Sequence, residues 1–190
     1  MLGIEKRPTY LNVDKSGHLV KKDSAGNAQA FDFIEGELAA VRVVEVDGHD
    51  GPSDKLQLDF LDPDSGETYR VSMGYRTGHA RSIVLALASA ERIGLVRLSV
   101  WKKDEDGYIR AAVKNDGQSL RWAVQLPPAG VDADGCKDTS ARDQLIDGLV
   151  ERIQARLSGA TGGDGLVDAV RERRDQAVSG YRASSDDVGF

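Results

Sequence analysis

The chain predicts a mainly β protein with α additions, built on one small curled sheet. Short stretches of period-two alternation recur across residues 10–124, separated by turn-forming clusters such as Asp62-Pro63-Asp64-Ser65-Gly66 and Asn115-Asp116-Gly117. One stretch of helical period, residues 76–90, interrupts them. A second helical pattern starts only after a polar linker, so one helix belongs to the β region and the later helices form an extension.

The elements follow in order. Tyr10-Leu11-Asn12-Val13 and His18-Leu19-Val20-Lys21-Lys22, joined around Gly17, predict a hairpin at the sheet edge, and residues 24–30 a small polar loop. Residues 31–46 are β-prone but change apolar phase. Phe31 and Phe33 share one parity, Ile34, Leu38, Ala40, Val44 and Val46 the other, and Gly36 sits where the phase changes. Side chains alternate faces, so a phase slip implies a bulge or bend that lets one strand serve two sheets. A loop is expected over residues 47–54. Leu56, Leu58 and Phe60, then Tyr69, Val71, Met73 and Tyr75, mark the two half-buried strands of a hairpin. Ala80, Ile83, Val84, Leu87 and Ala88 lie at helical spacing. Val96, Leu98 and Val100 return to alternation, and residues 108–113 and 120–124 complete the β region before Pro127 and Pro128.

Strand, strand, strand, helix, strand, strand, with a bent first strand, is the order of a five-stranded OB-fold barrel, here with an N-terminal hairpin. Residues 1–130 are therefore expected to form this domain. Residues 131–180 are expected to form a helical extension: Leu145, Ile146, Leu149, Val150, Ile153 and Leu157 make one stripe, and Leu166, Val167 and Val170 a second, joined by a glycine-rich turn. These apolar faces must bury against the barrel or against a second copy, the latter giving a homo-oligomer. Residues 181–190 read as a flexible acidic tail.

Composition narrows the chemistry. A formal net charge of −6 argues against coating of duplex DNA by bulk electrostatics, but charge is divided along the chain. Residues 32–66 hold ten acids against Arg42 and Lys55, whereas residues 67–125 hold ten bases against six acids. Cys136 is a single cysteine, and His18, His49 and His79 are scattered, so no metal-ligand spacing is present. The segment Asp62 to Met73 opens like a calcium loop but ends on Met where a bidentate Glu is required. The glycines near Gly162 lack a phosphate-loop Lys, and no HExxH, CxxC or serine-elbow motif occurs. The expectation is no enzyme activity, no cofactor and no metal. No apolar run is long enough to span a bilayer, and the start lacks the apolar core of a secretory signal, predicting a cytoplasmic protein without a membrane partner.

What remains is aromatic and basic, which is what unpaired nucleotides require: flat groups for bases and cations for phosphates. If Val96, Leu98 and Val100 face inward, Arg97, Trp101 and Lys103 face outward, and Tyr108, Arg110 and Lys114 share that face on the next strand. Arg70 and Arg76 occupy polar positions of the third strand, and Tyr75 lies at its end. The candidate DNA-binding set is Trp101 and Tyr108 for stacking, with Tyr75 beside them, and Arg70, Arg76, Arg81, Arg97, Lys102, Lys103, Arg110 and Lys114 for phosphates. Trp122 shares parity with Leu120 and Val124 and is expected in the core.

The tip Asp186-Asp187-Val188-Gly189-Phe190 resembles the acidic, Phe-terminated end of bacterial and phage single-stranded-DNA-binding proteins. Residues 10–122 look like a family of small phage-encoded single-stranded-DNA-binding proteins with an OB-fold. The similarity lies in Tyr10-Leu11-Asn12-Val13, Gly66-Glu67-Thr68-Tyr69, the helix with Arg81 and Leu87, the run Val96 to Lys103, and Asn115-Asp116-Gly117 leading to Arg121-Trp122. The resemblance implies sequence-independent binding and protection of single-stranded DNA in replication or recombination, in a host cytoplasm, with the tip recruiting replication or recombination proteins. Lys55, Gln57 and Asp59 depart from it, since no aromatic stands on the second strand's outer face. An adaptor or inhibitor that uses the acidic residues 32–66 to bind protein, with no nucleic-acid activity, is the alternative expectation.

Overall fold

Alternation of buried and exposed side chains builds one nine-stranded sheet in the computed structural model, which describes residues 7–48, 51–103, 107–122, 124–131 and 136–160. Its strands are β1 (Thr9–Val13), β2 (Leu19–Lys22), β3 (Ala28–Phe31), β4 (Phe33–Gly48), β5 (Gly51–Leu61), β6 (Thr68–Gly74), β7 (Leu95–Lys102), β8 (Ile109–Asn115) and β9 (Gln118–Ser119). Helix α1 (Gly78–Ser89) lies between β6 and β7. A separate two-stranded pair, β10 (Gly130–Val131) and β11 (Lys137–Asp138), precedes α2 (Ser140–Ala160). The protein is mainly β with helical additions.

The sheet order is β3-β2-β1-β6-β5-β4-β7-β8-β9. The five expected strands are β4 to β8, with α1 between the third and fourth, but their ladders do not close into a five-membered ring among the described residues. The free edge of β6 is taken by β1, in parallel register with Tyr10 opposite Arg70. The N-terminal hairpin is thus internal to the sheet and not at its edge. Its partner β3 begins at Ala28, inside the expected loop, because Leu19 to Lys22 offer it a full antiparallel ladder.

Only Asp32 separates β3 from β4, so the strand at one end of the sheet order runs directly into the sixth strand of the nine. The sheet must curl for that to happen, and Val100 N donates to Asp32 O at the join (3.4 Å). Strand β4 then serves two neighbours, as its phase slip implied. Phe33 to Glu37 pair with β7, and Glu37 to Gly48 pair with β5. The slip itself falls at Ala39, between paired Leu38 and Ala40, and not at Gly36. Ile34, Leu38 and then Val41 are buried, the spacing of three recording the extra residue. Gly36 has a different duty, since a Cβ there would meet Leu61 O at 2.8 Å. The expected loop at 47–54 is mostly ladder, extending to Gly48 opposite Gly51; His49 and Asp50 lie outside the described residues.

The core lies inside this curl. Leu11, Leu19, Leu38, Leu56, Leu58, Phe60, Val71 and Leu98 meet Ile83, Val84 and Leu87 of α1. Thr77 starts α1, its Oγ1 accepting from Ala80 N while donating to Gly74 O (2.8 Å). Helix α2 follows its predicted stripe: Ile146, Leu149, Val150, Ile153 and Leu157 are buried in the same core, so its apolar face is covered within the chain. Arg156 reaches the end of α1 and donates to Ala88 O and Ala90 O (3.1 and 2.6 Å), satisfying carbonyls the helix leaves open. No helix among the described residues is long and apolar enough to cross a membrane. The second stripe at 166–170 and the tip Asp186, Asp187, Val188, Gly189 and Phe190 lie outside the described residues.

Candidate nucleic-acid interface

The ladder between β7 and β8 assembles the aromatic and basic residues. Val96, Leu98 and Val100 are buried, so Arg97, Ser99 and Trp101 take the opposite face. Antiparallel register sets Trp101 opposite Arg110, Ser99 opposite Ala112, and Arg97 opposite Lys114. Beyond the ladder, Lys103 N donates to Tyr108 O (3.2 Å), which continues the register to that pair. Trp101 is 44% exposed and Tyr108 69%. A solvent-facing indole beside small Ser99 and Ala112 leaves room for a flat ligand across the strands.

Strand β4 brings a third aromatic. Phe33 pairs with Ser99 and Glu35 with Arg97, so both belong to this face, and Phe33 is exposed. The Arg97 guanidinium lies over the Phe33 ring, its carbon 4.4 Å from the ring centroid, and its Nε donates to Glu35 Oε2 at 2.6 Å. Phe33 was absent from the sequence-derived site, although its parity opposite Ile34 and Leu38 carried the signal. Lys102 is exposed at the end of β7, on the opposite parity from Trp101.

The other candidates lie elsewhere. Arg70 is committed to Asp59, a carboxylate only 5% exposed, through Nε (2.7 Å) and Nη2 (2.9 Å), while Nη1 donates to Tyr10 Oη (3.0 Å). Arg42 also pairs with Asp59. The hydrogen bonds to Asp59 raise the Arg70 pKa further above its ordinary value. This network fills the outer face of β5 and β6, where an OB-type groove was doubtful for want of an aromatic on β5. Tyr10, from β1, is exposed beside it, a neighbour that local spacing could not foresee.

Arg81 and Arg76 hold α2. Both donate to Asp143, at 2.6 and 3.3 Å, and the Thr139 hydroxyl donates there as well (2.9 Å). Burial opposes ionisation of Asp143, but the Thr139 and Arg81 contacts outweigh it and keep its pKa below the ordinary value. Tyr75 is buried and its hydroxyl donates to Asp147 Oδ1 (2.6 Å), so it cannot stack a base while α2 is seated. Burial, then that hydrogen bond, raises its pKa well above the usual phenol value. Trp122, in contrast, is 53% exposed and not in the core: β9 ends at Ser119 and, among the described residues, no ladder reaches Trp122.

Three functional expectations for cations therefore separate by geometry: Arg97, Arg110, Lys114 and Lys103 near Trp101, Arg70 on Asp59, and Arg76 with Arg81 on α2. Among the described residues no group of three or more His, Cys, Asp or Glu side chains could hold a metal ion, and Cys136 is exposed. No family model, curated protein or solved structure matches the chain.

Proposed function

We propose that this is a single-stranded-DNA-binding protein that holds its ligand across the outer face of β4, β7 and β8 without reading sequence. The observation that carries the proposal is the exposed indole of Trp101 directly across the ladder from Arg110, with Phe33, Tyr108, Arg97 and Lys114 on the same face. Every base has a face to stack and every nucleotide a phosphate, so stacking groups alternating with cations suit any unpaired strand. A duplex hides its base faces and gains little from this surface.

In this reading β4 to β8 with α1 correspond to an elaborated OB-fold, supported by the element order and by the sharing of β4 between β5 and β7. The acidic tip, Asp186 to Phe190, is the proposed recruiting site for replication or recombination proteins in a cytoplasm, resting on its sequence alone.

The test is a titration of labelled oligo(dT) and of a matched duplex at two salt concentrations. Tight single-strand retention, falling with salt at a slope of about −0.7 per neutralised phosphate, is expected. Trp101→Ala should cost about 1–3 kcal/mol of binding. Absence of retention at low salt would remove the proposal and favour a protein-binding adaptor.

A further inference from the structure

We propose that Arg97 is a stacking platform for a base and not a phosphate ligand; the inference rests on the single-strand reading above and assigns this residue a different role within it. A guanidinium is planar and weakly hydrated, and nucleobases stack on it as they do on aromatic rings. To act this way it must be held flat and prevented from following a phosphate. Two contacts do that. The guanidinium carbon lies over the Phe33 ring, 4.4 Å from its centroid, and Nε donates to Glu35 Oε2 at 2.6 Å. The arginine side chain remains 38% exposed, so a third layer can be added to the Phe33–Arg97 pair.

Electrostatics points the same way. Glu35 is as exposed as Arg97 and already offsets its charge. A phosphate approaching Arg97 would meet that carboxylate beside it, and breaking the pair to admit the phosphate exchanges one anion for another with little gain. A base carries no such penalty, and the neutralised guanidinium keeps its flat face. Lys114 stands across the ladder from Arg97 and Arg110 across from Trp101, which places two further cations on this face for the backbone. Phe33, Arg97 and Trp101 then form a row along the face in which Ser99, opposite both Phe33 and Ala112, is the small residue between stacking positions.

Charge and shape can be separated by measurement. Arg97→Gln and Arg97→Lys are titrated with oligo(dT), and with an abasic oligomer of equal length, across a salt series, with Trp101→Ala alongside and thermal melts to confirm folding. A platform predicts that both Arg97 variants weaken oligo(dT) binding about tenfold, and that Arg97→Lys, which keeps the charge, leaves the salt slope and the affinity for the abasic strand at the wild-type values. A phosphate ligand predicts the reverse: Arg97→Lys binds nearly normally, and Arg97→Gln loses about 0.7 from the slope. That result, or unchanged affinity in both variants while Trp101→Ala weakens binding, would overturn the platform alone. Failure of the wild type to retain oligo(dT) would overturn the binding function and the platform together.

Discussion

Gly17 lies flush against the backbone of Trp101, and a Cβ there would stand 2.7 Å from the Trp101 carbonyl carbon and closer still to Lys102 N. The β1–β2 turn therefore props the end of β7 where the indole leaves the sheet. The same turn demands a positive φ at Gly17 (83°), which an L side chain rarely adopts. Gly17→Ala should lower stability by about 1–3 kcal/mol. It should also displace Trp101, weakening single-strand binding although Gly17 touches no ligand. Urea unfolding together with oligo(dT) titration checks both, and a variant as stable and as tight-binding as the wild type would show that the turn is not a prop.

Tyr75 and Trp101 both belong to the candidate set read from the sequence, and a single substitution in each tells them apart. Tyr75→Phe removes the hydroxyl donated to Asp147 and keeps the buried ring. Stability should fall by about 1 kcal/mol, measured by denaturant midpoint, while affinity for oligo(dT) stays within twofold. A large loss of binding at unchanged stability would return Tyr75 to the interface.

Asp59 holds two guanidiniums on the outer face of the sheet, with Arg70 the more enclosed of the pair. Asp59→Asn leaves Arg70 without its counter-charge in a largely desolvated place. The expected cost is on the order of 3 kcal/mol, moderated on the Arg42 side by solvent. The double variant Asp59→Asn with Arg70→Met should recover part of it. Equal stability of the single variant and the wild type would mean the network contributes nothing measurable.

His79 supplies a pH dependence. Thr77 Oγ1 gives its proton to Gly74 O, so the 3.1 Å contact with His79 Nε2 requires that nitrogen to carry the hydrogen. Burial lowers the His79 pKa below its ordinary 6.5. As pH falls below that value, the unfolded chain binds a proton that the folded chain resists, so stability is full above about 6.5 and declines toward the lowered folded value. Melting temperature measured from pH 7.5 to 5 should drop more steeply for the wild type than for His79→Gln. Parallel curves would remove His79 as the source.

Much of the fold was legible because local alternation decides it. Leu56-Gln57-Leu58-Asp59-Phe60 can bury one face only as a strand, and the α2 stripe from Leu145 to Leu157 can do so only as a helix. Pairings between distant segments were not legible. Nothing near Tyr10 announces a parallel ladder with β6, and the Ala39 bulge depends on β5 having one residue fewer. The candidate site divides in the same way. Exposure of Trp101 and Tyr108 followed from parity with Val100 and from the turn, whereas the occupations of Arg70, Arg76 and Arg81 were set by Asp59 and Asp143, carboxylates from other elements. Trp122 misled because its alternation continued past the point where β9 loses its partner.

Stacking at Trp101 can be observed directly. In a Trp122→Phe background, Trp101 is the single indole of the chain, and its fluorescence reports what lies on it. Saturation with oligo(dT) should quench that emission strongly and shift it, with an abasic oligomer causing much less change. Binding of oligo(dT) that leaves the Trp101 emission unaltered would place the bases elsewhere and contradict the proposed interface.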